Sequence, residues 1–280
     1  MNALEIKDLC KSYDDFALDR LNLTLPSGCI MGLVGENGAG KSTTIKLILD
    51  MISADSGSIS IFGKDYKDNV QLMKEDIGVV LDEVGISECL TAVEVGKIMK
   101  CSFKNWKEDV FSNYLKKFSV PENKKFKEFS RGMKMKLGIA VALSHDAKLL
   151  ILDEATSGLD PVIRDEITDI FNDFTRDETH AVLISSHIVS DLEKICDYIA
   201  FLHNGKLLIC EEKDRLKEKY GIIHVPHEQL KSIPRSSVVG VKETVYGTEA
   251  IVERKDISPG TEISPVDIEQ LFVFMAKEVR

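Results

Sequence analysis

Apolar and polar positions alternate through the first 27 or so residues, with Leu4, Ile6 and Leu9 followed by Leu21, Leu23 and Leu25, before the turn signal Pro26-Ser27-Gly28. A period of two sends one side of each run into a core and the other to solvent, so this stretch predicts short antiparallel strands, the first at a sheet edge. Residues 29–34 then form an unbroken apolar run of buried-strand length. It leads into the glycine-rich GENGAGKST and on to Ile45, Leu47, Ile48 and Leu49 at helical spacing. This reads as strand, loop and helix in succession. Ser56-Gly57 turns the chain into a strand at 58–62, and residues 77–81 read as another buried strand. From about Thr91 to Ser144 the spacing is mostly helical, with Leu137, Val141 and Ser144 on one face.

Strand texture returns with LLILDE after Lys148. A helix from Pro161, a strand at 181–185, a helix from Ile188 and a strand at 198–202 follow. Such alternation predicts an α/β unit whose largely parallel sheet is covered on both faces, with the helical stretch as an insertion. Beyond Lys219, Tyr220-Gly221 and four prolines separate short β-rich runs at 222–225, 238–241 and 250–252. A closing helix places Ile268, Leu271, Phe272, Met275 and Val279 on one stripe. This predicts a small α+β appendage, read as regulatory or dimer-forming and not catalytic, or else as a helix that merely covers its own short strands.

Composition narrows the class. The 280 residues are 44% hydrophobic and 29% charged, which excludes a disordered chain and a disulfide-stapled miniprotein. The formal net charge of −10 disfavours a broad grip on nucleic acid, which needs basic side chains to neutralise phosphates. Six cysteines lie scattered without metal-ligand spacing and read as reduced thiols. No apolar stretch approaches the ~20 residues of a bilayer span, and the N-terminus lacks a secretory pattern. The expectation is a cytoplasmic chain that depends on a partner for any membrane function.

Two motifs carry chemistry. Gly35-x-x-x-x-Gly40-Lys41-Ser42 matches the phosphate-binding loop, in which glycines let successive backbone N–H groups cradle phosphate oxygens at a helix start. Lys41 would neutralise the β- and γ-phosphates and Ser42 would hold Mg²⁺ through its hydroxyl. The dinucleotide pattern G-x-G-x-x-G is absent from this loop, which weakens a nicotinamide or flavin reading. Asp153 and Glu154 close a second buried strand; in phosphoryl transfer the first would organise Mg²⁺ and the second would polarise the attacking water. An acidic pair ending a strand is otherwise a common helix cap.

The order of GENGAGKS, FSRGMK, LLILDEA, Ser157-Gly158-Leu159-Asp160 and Ser185-Ser186-His187 resembles the ATP-binding cassette (ABC) ATPases, the nucleotide-binding subunits of ABC transporters, over residues 1 to about 215. The resemblance implies an α/β fold of the P-loop NTPase type within residues 1–219: a mostly parallel sheet, an antiparallel β subdomain and an inserted helical subdomain at about 85–147, with the small α+β appendage at 220–280. It implies ATP and Mg²⁺ as cofactors, held by the loop residues Gly35, Asn37, Gly38, Ala39, Gly40, Lys41, Ser42 and Thr43. Tyr13 is implied to stack on adenine. Ser130 and Gly132 are implied to bind the γ-phosphate held by a second subunit, Asp160 to link the two sites, and His187 to bond and sense the γ-phosphate. Lys41, Glu154 and His187 form the implied catalytic set, with Ser42, Asp82 and Asp153 at the metal.

Two departures stand out. The signature usually reads Leu-Ser-Gly-Gly-Gln, whereas Phe129, Arg131 and Met133 replace its Leu, first Gly and Gln here. After residues 77–81 the usual glutamine is Asp82, which adds a negative charge beside a triphosphate; that residue could instead face solvent or a permease, with the 84–88 loop as the docking surface. The reading that follows is the ATPase subunit of an exporter of antibiotic-like or amphipathic peptide or drug substrates. Its partners would be separate transmembrane permeases and a second nucleotide-binding subunit, identical or not, on the cytoplasmic membrane face, with no nucleic acid. A soluble cassette acting on DNA or ribosomes is the alternative from another class. A non-catalytic regulator conflicts with intact Lys41, Asp153 and Glu154.

Overall fold

The computed structural model describes residues 1–65, 74–156, 159–226, 230, 233–244, 247–258 and 261–278. The alternating N-terminal pattern becomes β1 (Asn2–Ser12) and β2 (Ala17–Pro26), paired antiparallel with Leu4 against Leu25, Ile6 against Leu23 and Leu9 against Leu21. All six leucines and isoleucines are buried, each contributing roughly 1.5–3 kcal/mol of apolar burial. β1 is not an edge strand. The sheet order is β2-β1-β4-β5, with β4 (Ser56–Ile61) and β5 (Lys64–Asp65) on the other flank. Ser56-Gly57 is likewise no turn but part of β4. Gly57 sits at φ +90 where an added Cβ would lie 2.5 Å from the Asp8 carbonyl oxygen, beside a bulge between Lys7 and Cys10. The glycine marks a close backbone approach.

The larger sheet places β3 (Ile30–Val34) among β6 (Ile77–Val80), β7 (Leu149–Asp153), β8 (Ala181–Ser186) and β9 (Tyr198–His203), all parallel, in the order β9-β3-β8-β7-β6. The apolar runs split their side chains between two cores. Met31, Leu33, Ile151 and Leu183 pack toward the antiparallel sheet, while Ile30, Val34, Leu152 and Ile184 join the core beneath the helices. An antiparallel edge strand, β10 (Lys206–Glu212), extends β9 through Asn204-Gly205, whose φ angles of 46 and 73 fit a two-residue hairpin turn.

Helix α1 (Lys41–Ile48) follows the glycine-rich loop. The insertion holds α2 (Ala92–Ser102), α3 (Glu108–Lys117) and α4 (Arg131–Ala142). Thr91 and Glu94 form a reciprocal capping box at the start of α2. Phe111, Leu115 and Phe118 continue the helical core. Next come α5 (Pro161–Phe174), α6 (Val189–Ile195) and α7 (Lys213–Lys219).

The appendage is a three-stranded antiparallel sheet, β11 (Tyr220–Val225), β13 (Gly247–Glu253) and β12 (Val238–Thr244) in that spatial order, with α8 (Ile268–Glu278) against it. Ile268 and Leu271 of the closing stripe are buried and Phe272 and Met275 half-buried; Val279 lies outside the described residues. Tyr220, Ile222, Ile251, Leu271 and Phe274 share one buried cluster with Val189, Leu192 and Ile195 of α6. The Phe272 ring stands 5.3 Å from that of Phe201 on β9. α8 therefore supports α6, the helix that begins just after His187.

Candidate functional site

Buried β3 aims the chain at the phosphate loop, and the loop's glycines are where backbone crowds backbone. A Cβ on Gly35 would fall 2.5 Å from the Leu202 carbonyl oxygen, and one on Gly40, at φ +110, would fall 2.8 Å from the Phe16 ring. Gly40 ends the loop as the residue capping α1, and the Thr44 N–H and hydroxyl both donate to its carbonyl at 2.9 Å. Asn37 and Gly38 are exposed at the rim while Ala39 is buried. The Lys41 ammonium, 6% exposed, donates to the carbonyls of Gly35 at 2.7 Å and Glu36 at 3.3 Å. Ser42 is exposed and Thr43 half-buried on the first turn of α1. Tyr13 is half-exposed under the Lys11 ammonium, and its N–H donates to the Phe16 carbonyl at 2.7 Å. Phe16 is the ring that touches Gly40.

The carboxylate pair arrives from β7, whose parallel register sets Asp153 beside Ser185 of β8. The Ser185 hydroxyl donates to Asp153 Oδ1 at 2.6 Å and accepts from the Glu154 N–H at 3.1 Å. Glu154 adopts φ +53, a left-handed conformation costly for a side-chain-bearing residue. Its carboxylate lies between two cations or potential cations: Oε2 is 2.8 Å from His187 Nδ1, and Oε1 is 3.6 Å from Lys41 Nζ. The Ser186 hydroxyl accepts from the Ile188 N–H at 3.0 Å and shapes the turn that presents His187. Lys41, Asp153, Glu154, Ser185 and His187 therefore form one connected cluster.

A second group forms elsewhere. Ser130 caps α4, its hydroxyl accepting from the Met133 N–H at 3.2 Å. Gly132 packs against α5, where an added Cβ would be 3.1 Å from Ile163. Asp160 caps α5, accepting from Val162 and Ile163 at 3.1 and 3.0 Å. Ser157 and Gly158, read as part of this motif, lie outside the described residues. No hydrogen bond or ion pair joins Ser130, Gly132 or Asp160 to the Lys41–His187 cluster among the described residues.

Asp82 sits apart from the phosphate loop's own contacts: its Oδ1 accepts from the Arg131 guanidinium at 2.6 Å. Three contacts escaped the sequence reading. Ser185 ties Asp153 to Glu154. Glu36 Oε1 lies 2.9 Å from Nδ1 of His203, which is 1% exposed. Arg164 joins α5 to α6 through Asp191 at 2.9 Å. Only the serine had a local signal, standing two places before His187 on a buried strand.

Magnesium is tested by the donor set. Among the described residues no group of three or more His, Cys, Asp or Glu side chains could hold a metal. The Ser42 hydroxyl, exposed on the first turn of α1, and the Asp153 carboxylate at the end of β7 each offer a hard oxygen donor. That is the pattern for Mg²⁺, which is usually held by one or two protein oxygens with water and substrate phosphates completing the shell.

Comparison with known proteins agrees with this geometry. The ABC transporter family profile matches residues 18–157. The chain is 37% identical over 221 residues to the bacitracin transport ATP-binding protein BcrA of Bacillus licheniformis, covering 77% of this chain and 72% of that one. It is 36% identical over 214 residues to the lantibiotic transport ATP-binding protein SrtF of Streptococcus pyogenes, covering 75% and 91%. A solved structure of the ATP-binding subunit of an ABC transporter superposes with a TM-score of 0.71 at 28% identity, covering 77% of this chain and 92% of that one.

Proposed function

The chain belongs to the ABC transporter family as an ATP-binding, ATP-hydrolysing subunit, and on that premise we propose that it powers export of antibiotic-like or amphipathic peptides through separate permease subunits at the cytoplasmic membrane face. The observation that carries the mechanism is the Glu154 carboxylate, suspended between Lys41 and His187 on a backbone whose N–H donates to the Ser185 hydroxyl, which in turn donates to Asp153. The loop N–H groups and Lys41 bind the triphosphate. Ser42 and Asp153 would hold Mg²⁺, which when bound neutralises charge on the β- and γ-phosphates. Glu154 takes the proton from the attacking water. His187 orients Glu154 through Nδ1; as an imidazolium it donates from both nitrogens, leaving Nε2 for the γ-phosphate.

Among the described residues Ser130, Gly132 and Asp160 make no hydrogen bond or ion pair with the Lys41 cluster, which leaves them for a second subunit's nucleotide in this reading. A second copy, head to tail, would bring its α4 start to this chain's γ-phosphate, where helix-end N–H groups favour an anion. Residues 84–88 offer the permease a docking loop. No helix among the described residues is long and apolar enough to cross a membrane, so the reading takes the membrane path from a partner. The names of BcrA and SrtF support the peptide-antibiotic class of cargo.

The test is purification in detergent together with a resistance assay. A polytopic membrane protein should accompany the chain, and cells lacking the chain should lose resistance to bacitracin or lantibiotic peptides, restored by the native protein and not by Glu154→Gln. Ribosomes or DNA in place of a membrane protein, or full rescue by Glu154→Gln, would overturn the proposal.

A further inference from the structure

Two positions where this chain departs from the usual family pattern touch each other. Asp82 stands where glutamine is usual and Arg131 where the signature has its first glycine, and their side chains meet at 2.6 Å with both about half exposed. The first turn of α4 contains no acidic residue, although it begins with Arg131 and Lys134 follows. Cations at a helix start oppose the helix dipole, and here the missing negative charge comes from another element. Asp82, Glu83 and Glu88 line, together with Arg131 and Lys134, one cavity of about 560 Å³ that no residue of the phosphate loop lines.

We propose that Asp82 and Arg131 form an exchangeable electrostatic tether between the loop after β6 and the first turn of α4, holding the Asp82 carboxylate turned away from the phosphate loop. The inference rests on the ATPase reading for its consequence, not for its geometry. A half-exposed ion pair changes an equilibrium by about two- to fivefold. That is enough to bias the loop and weak enough to yield to a metal–nucleotide. Paired, Asp82 does not repel a triphosphate; stripped of Arg131, it does. Both are positioning residues: they couple the loop to the helix whose start would grip the phosphate of a second subunit.

Hydrogen–deuterium exchange on the full-length, nucleotide-free protein reads the tether directly at the amides of residues 82–88. Asp82→Asn and Arg131→Gln should each speed exchange about two- to fivefold. The double variant should exchange no faster than either single one, because one interaction is lost once. The charge-swapped pair Asp82→Arg with Arg131→Asp should recover protection in the loop. ATP titration without Mg²⁺ on the same samples should show Arg131→Gln binding about two- to fivefold more weakly, with native affinity restored when Asp82→Asn is added. Unchanged exchange in Arg131→Gln, single-variant factors that multiply in the double, or no recovery on charge swapping would overturn the tether. A native protein that does not bind ATP would overturn the ATPase reading instead, and the exchange data would still decide the tether.

Discussion

Replacing Glu154 with glutamine should tighten ATP binding while slowing hydrolysis, and the structure supplies the first magnitude. Glu154 Oε1 lies 3.6 Å from the Lys41 ammonium, with the two side chains 14% and 6% exposed. At an effective dielectric of 20 that separation corresponds to a Coulomb attraction of ~5 kcal/mol. The cost of desolvating both charges cancels most of it, leaving a net value of about 1 kcal/mol. ATP must draw Lys41 away from this carboxylate before its phosphates receive the full charge. Glutamine removes the competitor and leaves the Gly35 and Glu36 carbonyls in place, so the Kd should fall about fivefold. Loss of the general base should slow phosphate release by ~10²–10⁴-fold. The left-handed backbone at Glu154 and the contact with His187 accommodate glutamine as they do glutamate, so the fold is kept. Fluorescent-nucleotide titration gives the first number and single-turnover phosphate release the second. A weaker Kd, or hydrolysis within threefold of native, would refute the roles given to both residues.

Leu271→Ala, which empties a fully buried site between α8 and the larger unit, should cost about 2–5 kcal/mol and lower the Tm seen by calorimetry; an unchanged Tm would mean the appendage does not brace α6. Lys107 donates to Asp146 at 2.7 Å and holds that carboxyl below the ordinary carboxylate range. The stabilisation is therefore present above the unfolded-state value of about 4 and is lost as pH falls through the lower folded value. Asp146→Asn should accordingly lose less stability than native between about pH 5 and pH 3 in denaturant titrations. Burial pushes the Cys196 thiol far above its ordinary range, so a thiol reagent should label exposed Cys89 and Cys101 promptly and Cys196 only on unfolding; prompt labelling of Cys196 would show that α6 opens in the native state.

The sequence was most legible where one residue's type determines its own backbone or side-chain role. The phosphate loop and the Asp153-Glu154 strand end are local chemistry, and each lies where its spacing predicted. Pairing between distant segments was not legible. Alternation at Leu4, Ile6 and Leu9 predicts a strand but cannot say that β4 covers its second edge. The interior position of β1 and the bulge at Gly57 both follow from that neighbour. Ser185 reaches Asp153 because β7 and β8 are adjacent, which no motif states. Asn204-Gly205 is a local hairpin signal for β10, but the run Leu207-Leu208-Ile209 after it lacks the alternation that marks an edge strand. The partnership of Asp82 with Arg131 spans 49 positions, and two departures from a pattern do not reveal that they meet.

The central claim is that one chain carries two complementary halves of a nucleotide site, the Lys41–His187 cluster and the Ser130–Gly132 helix start, which ATP joins between copies. Light scattering on Glu154→Gln with and without ATP and Mg²⁺ tests it most directly. The account predicts a particle of the single-chain mass of 31.3 kDa without nucleotide and a doubling of that mass with it, reversed by adding Ser130→Arg, which places a bulky side chain at the helix start. A particle that keeps the single-chain mass at saturating ATP and Mg²⁺, with bound nucleotide verified in the same sample, would contradict it.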